Sequence, residues 1–314
     1  MSYHILHIMT PNCRIHCDMG FLFCEYEDGE NNKIPVNDIK IIVVATQRVS
    51  FTNTTLAKLL ENGIVILHCN NSYKPVGWTA PLDRVIRDKA FKNQISQNEK
   101  FENELWKKLV KQKVLNQSKN LSLMNCHHDL QRLIDKPLMS EANIAKKYWQ
   151  HYFSTLGNPI KREHKNAETF ENGCLNYGYA VISTLLYRAV LIHGLIPQLG
   201  VHHVEKYKSI PLIYDLLEPY RAFVDFYFYK FTQEQEENYE FEEYKEWFKF
   251  FADCLKYYRI KINEKSFKIV DSVDIFVETV VNSYIKYDCE QLFLPQLEEQ
   301  YLYISKHKNR EYEE

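Results

Sequence analysis

With 314 residues, 45% of them hydrophobic and 14% aromatic, the chain can bury an extensive core. A single core rarely grows past about 250–300 residues, so two domains are expected. The 39 Lys and Arg against 41 Asp and Glu leave a formal net charge of −2, which excludes a global cationic field for nucleic acid; nine glycines, ten prolines and no internal period exclude low-complexity and repeat architectures.

The N-terminal MSYHILHIMTPNCR lacks the basic start and long apolar run of a signal peptide. Phe21 to Tyr26, followed by the turn-rich Asp28-Gly29-Glu30-Asn31-Asn32, predicts a hairpin. Ile39 to Ala45 is a β-branched run suited to a strand buried on both faces. Asn53 can cap a short helix carrying Leu56, Leu59 and Leu60 and ending before Gly63. Ile64 to Leu67 then returns as a strand and breaks at Asn70-Asn71. From about Asp83 the period becomes helical. Residues 105–119 hold five lysines and no acid, with Leu105, Leu109 and Leu115 available for an apolar stripe. Glu141 to Phe153 sets Ile144, Tyr148 and Tyr152 along one face, and Leu175, Tyr179, Ile182, Leu186 and Ala189 recur at helical spacing. Residues 234–249, with seven acids, read as a helix whose polar face is solvated.

The pattern predicts an α+β protein: a mostly β N-terminal domain over 1–82 and a larger all-α C-terminal domain over 83–314. No stretch approaches the ~20 apolar residues of a membrane helix. The eight cysteines contain no C-x-x-C and read as scattered reduced thiols. A soluble, cytoplasmic chain without a membrane partner is expected.

Chemistry concentrates in Leu199 to Asp225, LGVHHVEKYKSIPLIYDLLEPYRAFVD. Charged side chains in so apolar a segment need partners, because burying an unpaired charge costs far more than one hydrogen bond returns. A divalent metal on carboxylates and imidazole is one solution. A surface helix whose acids point to water, with histidines ending a loop, is the other. Asp215 and Glu218 stand one turn apart on one face, where a metal, Arg221 or water could relieve their repulsion. Glu141 opens its own helix, a place the helix dipole also favours for an acid. Local positive charge gathers in residues 105–119 and in 131–165, where seven Lys and Arg face three acids. Lys161 and Arg162 are the candidate phosphate contacts.

Three separated segments together resemble a known family. Glu141 precedes Ala142, Ala145 and Tyr148; NGCLNYGYAVISTLLYRAVLIHGLIPQLGVHH follows from Asn172 to His203; DLLEPYRAFVD begins at Asp215. Their order and spacing are similar to the CRISPR-associated spacer integrase family (Cas one), and most similar to members from type II systems. The early IIVVATQRVSFTNTTLAKLLENGIVILHCNNSYKPVGW resembles that family's N-terminal β domain. The family's metal-binding glutamate, in E-G-x-x-A-x-x-Y, falls on Glu141. Its histidine, in G-x-x-H, falls on His203 with His202 as neighbour, and its second acid, in D-L-x-E-P-x-R, falls on Glu218. Ala142, Tyr220 and Ala222 depart from the usual glycine, phenylalanine and proline, and none of these is a ligand.

The resemblance implies that Glu141, His203 and Glu218 are both metal ligands and catalytic residues, holding Mg²⁺ or Mn²⁺. It implies a DNA integrase of CRISPR adaptation that joins the 3′-OH ends of short fragments to the repeat by transesterification. The alternative on the same residues is a stand-alone metal-dependent endonuclease for branched or single-stranded DNA. It further implies a homodimer, dimerisation and partner contact through the N-terminal domain, and a larger complex with the small Cas two protein. Asp215, Arg221 and Asp225 are expected to support the ligands, with an Arg–Asp pair holding the helix that presents Glu218.

Overall fold

A computed structural model describes residues 4–27, 29, 31–82, 87–133, 141–157, 160–164, 167–203, 209–234 and 243–299. The N-terminal portion, His4 to Thr79, builds two four-stranded sheets. One consists of β1 (His4–Ile8), β5 (Ile39–Val44), β7 (Val65–Cys69) and β8 (Pro75–Thr79) in the order β1-β5-β7-β8, parallel except for β8. The other consists of β2 (Cys13–Asp18), β3 (Phe21–Glu25), β4 (Asn31–Pro35) and β6 (Val49–Phe51) in the order β4-β3-β2-β6. The predicted hairpin is β3–β4, paired antiparallel from Phe21↔Pro35 to Glu25↔Asn31. Helix α1 (Asn53–Glu61) links β6 to β7, and its cap is Thr52, one residue before the expected Asn53: Thr52 Oγ1 accepts the Thr55 amide at 3.2 Å.

Strand β5 is buried on both faces, as its β-branched run predicts. Alternation sends Ile41 and Val43 into one apolar core and Ile42 and Val44 into another. Strand β7 and the residue before it divide likewise, with Val65 and Leu67 on the first side and Ile64 and Ile66 on the second. The first core continues without a break into the helices; the second is closed by the other sheet and α1. The strand-rich and helical portions therefore share a core. Trp78 in β8 donates its indole N–H to Thr184 Oγ1 at 2.8 Å, and Lys40 in β5 reaches Asp274 at 2.6 Å, both across this junction.

After β8 the chain is mostly helical, from Asp88 onward: α2 (Asp88–Ile95), α3 (Glu99–Leu123), α4 (Leu130–Leu133), α5 (Glu141–Thr155), α6 (Phe170–His193), α7 (Pro211–Leu217), α8 (Arg221–Glu234), α9 (Glu243–Tyr257) and α10 (Ile269–Lys286). The expected boundary at 82/83 adjoins residues 83–86, which lie outside the described set, as do 235–242 of the acidic stretch. One hairpin interrupts the helices: β9 (Arg259–Ile262) and β10 (Lys265–Lys268), turned by Asn263 and Glu264 at φ 48° and 60°. The all-α expectation missed it although RIKINEKSFK alternates apolar and polar about a two-residue, Asn-led turn. Helix α6 is long and apolar enough to cross a membrane by length and composition, but 67% of its apolar window is buried inside this fold. It is the central helix, packed on β5, β7 and β8 and against α7, α8 and α10.

Candidate functional site

The three predicted ligands come from three places: Glu141 from the first turn of α5, His203 from the loop after α6, and Glu218 from the junction of α7 and α8. That junction is a 3-10 turn over Glu218–Tyr220. Pro219 brings no N–H to continue the α-helical ladder, so the axis breaks where the carboxylate is presented.

Asp215 and Glu218 are both buried, at 0% and 3% exposure, which removes the solvated-surface reading. They have different tasks. Asp215 organises the histidine loop: its Oδ2 accepts the Val201 amide at 2.7 Å and the His202 amide at 3.1 Å, and its Oδ1 meets His203 Nδ1 at 2.5 Å. A carboxylate accepts, so Nδ1 carries a proton, and in the neutral imidazole the free lone pair then lies on Nε2. Gly200 permits this approach. A Cβ there would stand 2.6 Å from the His203 carbonyl and 3.0 Å from Asp215 Oδ2. The two histidines are used differently, because His202 stacks flat on Trp106 with ring centroids 4.3 Å apart, while Trp106 meets His203 edge-on at 5.5 Å.

Glu218 and Glu141 meet through a residue that the sequence reading counted only as part of the local positive charge of residues 105–119. Lys113 of α3 is 8% exposed, and its Nζ lies 2.7 Å from Glu141 Oε1 and 2.6 Å from Glu218 Oε2. Arg221 Nε takes the other Glu218 oxygen at 2.9 Å. Burial opposes ionisation of Glu218, but Arg221 and Lys113 outweigh it and hold the carboxyl at about 2. Burial likewise opposes the Lys113 charge, and Glu218 with Glu141 reverses the effect, leaving the ammonium above its ordinary range. The expected Arg–Asp pair is thus an Arg221–Glu218 pair.

Asp225 is a scaffold. Its carboxylate accepts the hydroxyls of Tyr148 (2.6 Å) and Tyr179, and its carbonyl accepts that of Tyr152 at 2.8 Å, tying α5 and α6 to α8. Burial pushes the carboxyl up to about 6 in spite of these bonds and of Arg162 and Arg221 nearby. Arg162 also turns inward, contrary to its assignment as a phosphate contact. It is 9% exposed, donates to Asn172 Oδ1 at 2.9 Å and Asn176 Oδ1 at 2.6 Å, and lies over the rings of Trp149 and Tyr179. Lys161 remains exposed.

One face of α3 serves all of these parts. Trp106 holds the histidine loop and Lys113 joins the two glutamates. Asn116 Nδ2 donates to the Pro219 carbonyl at 2.8 Å, pinning the turn that bears Glu218, and Asn120 Nδ2 donates to Tyr148 OH at 2.8 Å. The 7-3-4 spacing was visible as Trp106, Lys113, Asn116 and Asn120; the search for an apolar stripe passed over it. A groove of about 810 Å³ also runs along α3, lined by Gln112, Leu115, Asn116, Lys119 and Gln296 but by none of the three predicted ligands.

Among the described residues no three His, Cys, Asp or Glu side chains stand close enough together to hold a metal ion. His203–Asp215 and Glu141–Glu218 are two pairs. The donor types, carboxylate and imidazole, nevertheless suit a hard divalent cation, and Glu218 Oε2 is buried against a cation already, the Lys113 ammonium at 2.6 Å.

A family model described as CRISPR associated protein Cas1 matches residues 6–253. The CRISPR-associated endonuclease Cas1 of Neisseria meningitidis serogroup C (strain 8013) is 30% identical over 210 residues, covering 63% of this chain and 66% of its own. The chain thus matches just under two thirds of that relative's length. Two solved structures, each 17% identical, share the fold. A casposase bound to integration product has a TM-score of 0.76, with 92% of each chain covered. A CAS1 protein from Thermotoga maritima has 0.75, with 90% of this chain and 97% of its own covered.

Proposed function

The chain belongs to the CRISPR-associated Cas1 family, and from that membership we propose that it is a metal-dependent DNA integrase of CRISPR adaptation, joining the 3′-OH ends of short DNA fragments to the repeat. The observation that carries the reading is the meeting of Glu141 and Glu218, from helices far apart in sequence, on the two sides of one buried ammonium at 2.7 and 2.6 Å. Glu218 is buried and Glu141 half-buried, and carboxylates from separate elements converging on one cationic point supply the oxygen donors that a hard divalent cation takes. The likeness to a casposase bound to integration product supports the fold being able to carry such chemistry.

Glu141, Glu218 and His203 through Nε2 would hold Mg²⁺ or Mn²⁺. When bound, the ion would lower the pKa of an attacking 3′-hydroxyl and neutralise charge building on the phosphate. The rest falls to the chain. Asp215 fixes the His203 tautomer, Arg221 keeps Glu218 ionised and aimed, and Trp106 holds His202 aside, which favours His203 as the ligand. Asn116 and the Tyr148–Asp225–Tyr179 clamp keep the elements in register. A 3′-oxygen replacing another oxygen on phosphorus conserves the number of phosphodiester bonds, so no nucleotide cofactor is required. Further parts of the same reading are a homodimer made through the β portion over 1–82, a larger assembly with the small Cas two protein, and a place in the cytoplasm.

The test is an integration assay with a labelled double-stranded fragment, a plasmid bearing leader and repeat, divalent metal, and the protein with and without its partner. Label should enter the plasmid, and EDTA or Glu218→Gln should abolish it while the protein stays soluble. Degradation of the fragment without joining, partner present, would replace the integrase with the endonuclease.

A further inference from the structure

Lys113 has a place that the general reading of the site leaves unexplained. A lysine is seldom buried, and this one is buried between two carboxylates from different elements, α5 and the α7–α8 turn. Arg221 already pairs with the second oxygen of Glu218. Among the described residues, Lys113 is the cation that ties Glu141 to Glu218. Counting formal charges, Glu141 and Glu218 are balanced by Lys113 and Arg221, so the site is neutral before any metal arrives. Without the lysine, the buried Glu218 and the half-buried Glu141 would face each other with Arg221 paired to Glu218 alone, a costly arrangement.

We propose that Lys113 is a built-in counter-ion: it keeps the Glu141–Glu218 pair assembled in the metal-free protein and yields its place when a divalent cation binds. This rests on the metal-site reading above. The ammonium occupies the point where both carboxylates can be reached at once, and its flexible four-carbon stem lets it withdraw without moving α3. Lys113 is therefore a positioning residue whose effect depends on whether metal is present, which a purely structural lysine would not show.

The experiment is thermal unfolding of the full chain, in EDTA and in saturating Mn²⁺, for wild type, Lys113→Met, Lys113→Arg and the double variant Lys113→Met/Glu218→Gln. In EDTA, Lys113→Met should lose roughly 5–10 °C in Tm, Lys113→Arg much less, and the double variant should recover most of the loss. Mn²⁺ should raise the Tm of Lys113→Met by clearly more than that of wild type, because the ion there replaces a missing charge and displaces nothing. The double variant should be indifferent to Mn²⁺. A Lys113→Met protein as stable as wild type in EDTA, or one whose loss Mn²⁺ does not repair, overturns the proposal. Equal Mn²⁺ shifts in wild type and Lys113→Met overturn it while leaving the metal site standing; no shift in either protein overturns both. Should Lys113→Met fail to fold, failure of the double variant as well would also overturn it.

Discussion

Helices α3 and α6 are nearly equal in length, 25 and 24 residues, and both run through the interior. Their buried surfaces have little in common. Helix α6 buries chiefly apolar side chains, among them Leu175, Val181, Ile182, Leu186 and Ala189. Helix α3 buries Leu105, Leu109 and Leu121 but also Gln112, Lys113, Asn116, Gln117, Ser118 and Asn120. An apolar side chain is content with any apolar neighbour, so α6 could be built around. Each buried polar side chain of α3 needs a particular partner in a particular direction. For three of them the partners lie on other elements: Pro219 and Pro295 carbonyls for Asn116, Tyr148 for Asn120, two glutamates for Lys113. One helix holds the fold together, and the other arranges the site.

Opposite substitutions in the two helices should therefore act with the same sign. Leu186→Asn puts an unpartnered amide into the fully buried face of α6 and removes apolar burial, for an expected loss of about 5 kcal/mol measured by urea denaturation. Asn116→Leu in α3 keeps the branched shape and adds apolarity. It strands the Pro219 and Pro295 carbonyls and the Leu297 amide, for an expected loss of about 4 kcal/mol. A neutral or stabilising Asn116→Leu would break the comparison, since α3 would then be an ordinary core helix with polar ornament.

A smaller effect should appear on acidification. The Glu218 carboxyl sits at about 2 in the folded protein against an ordinary 4.5. The folded state holds the ionised form better, so this stabilisation is complete above pH 4.5 and is lost as pH falls through about 2. Its size is on the order of 3 kcal/mol. Urea midpoints followed from pH 5 to 2 should fall more steeply for the wild type than for Glu218→Gln. Parallel curves would mean that the α3 lysine and Arg221 do not hold Glu218 ionised as the geometry requires.

Much of the architecture was legible beforehand for the same reason that α6 was. The continuous β-branched run of β5 announced two buried faces, and the 3.6-residue recurrence of Leu175, Tyr179, Ile182, Leu186 and Ala189 announced a core helix. Hydrophobic period is a local property that folding rarely overrides. The hairpin β9–β10 was equally local and was missed only because a long helical pattern surrounded it. Arg162 shows the limit of local charge counting: a positive run suggests a surface, but two asparagines and two aromatic rings drew this residue inside.

What the sequence by itself determined is the inventory: the division into strands and helices, the core faces, and, through motif order, Glu141, His203 and Glu218 as the residues to watch. What only the tertiary structure decided is who stands beside whom. That Asp215 serves His203, that Arg221 serves Glu218, and that a lysine from a distant helix joins the two glutamates are all contacts between segments 12 to 105 residues apart, apart from the local Arg221–Glu218 pair. Periodicity reports which face of an element is buried. It carries no information about which distant polar group will be found there, because that is settled by chain topology and by the requirement that every buried charge and hydrogen-bonding group find a partner.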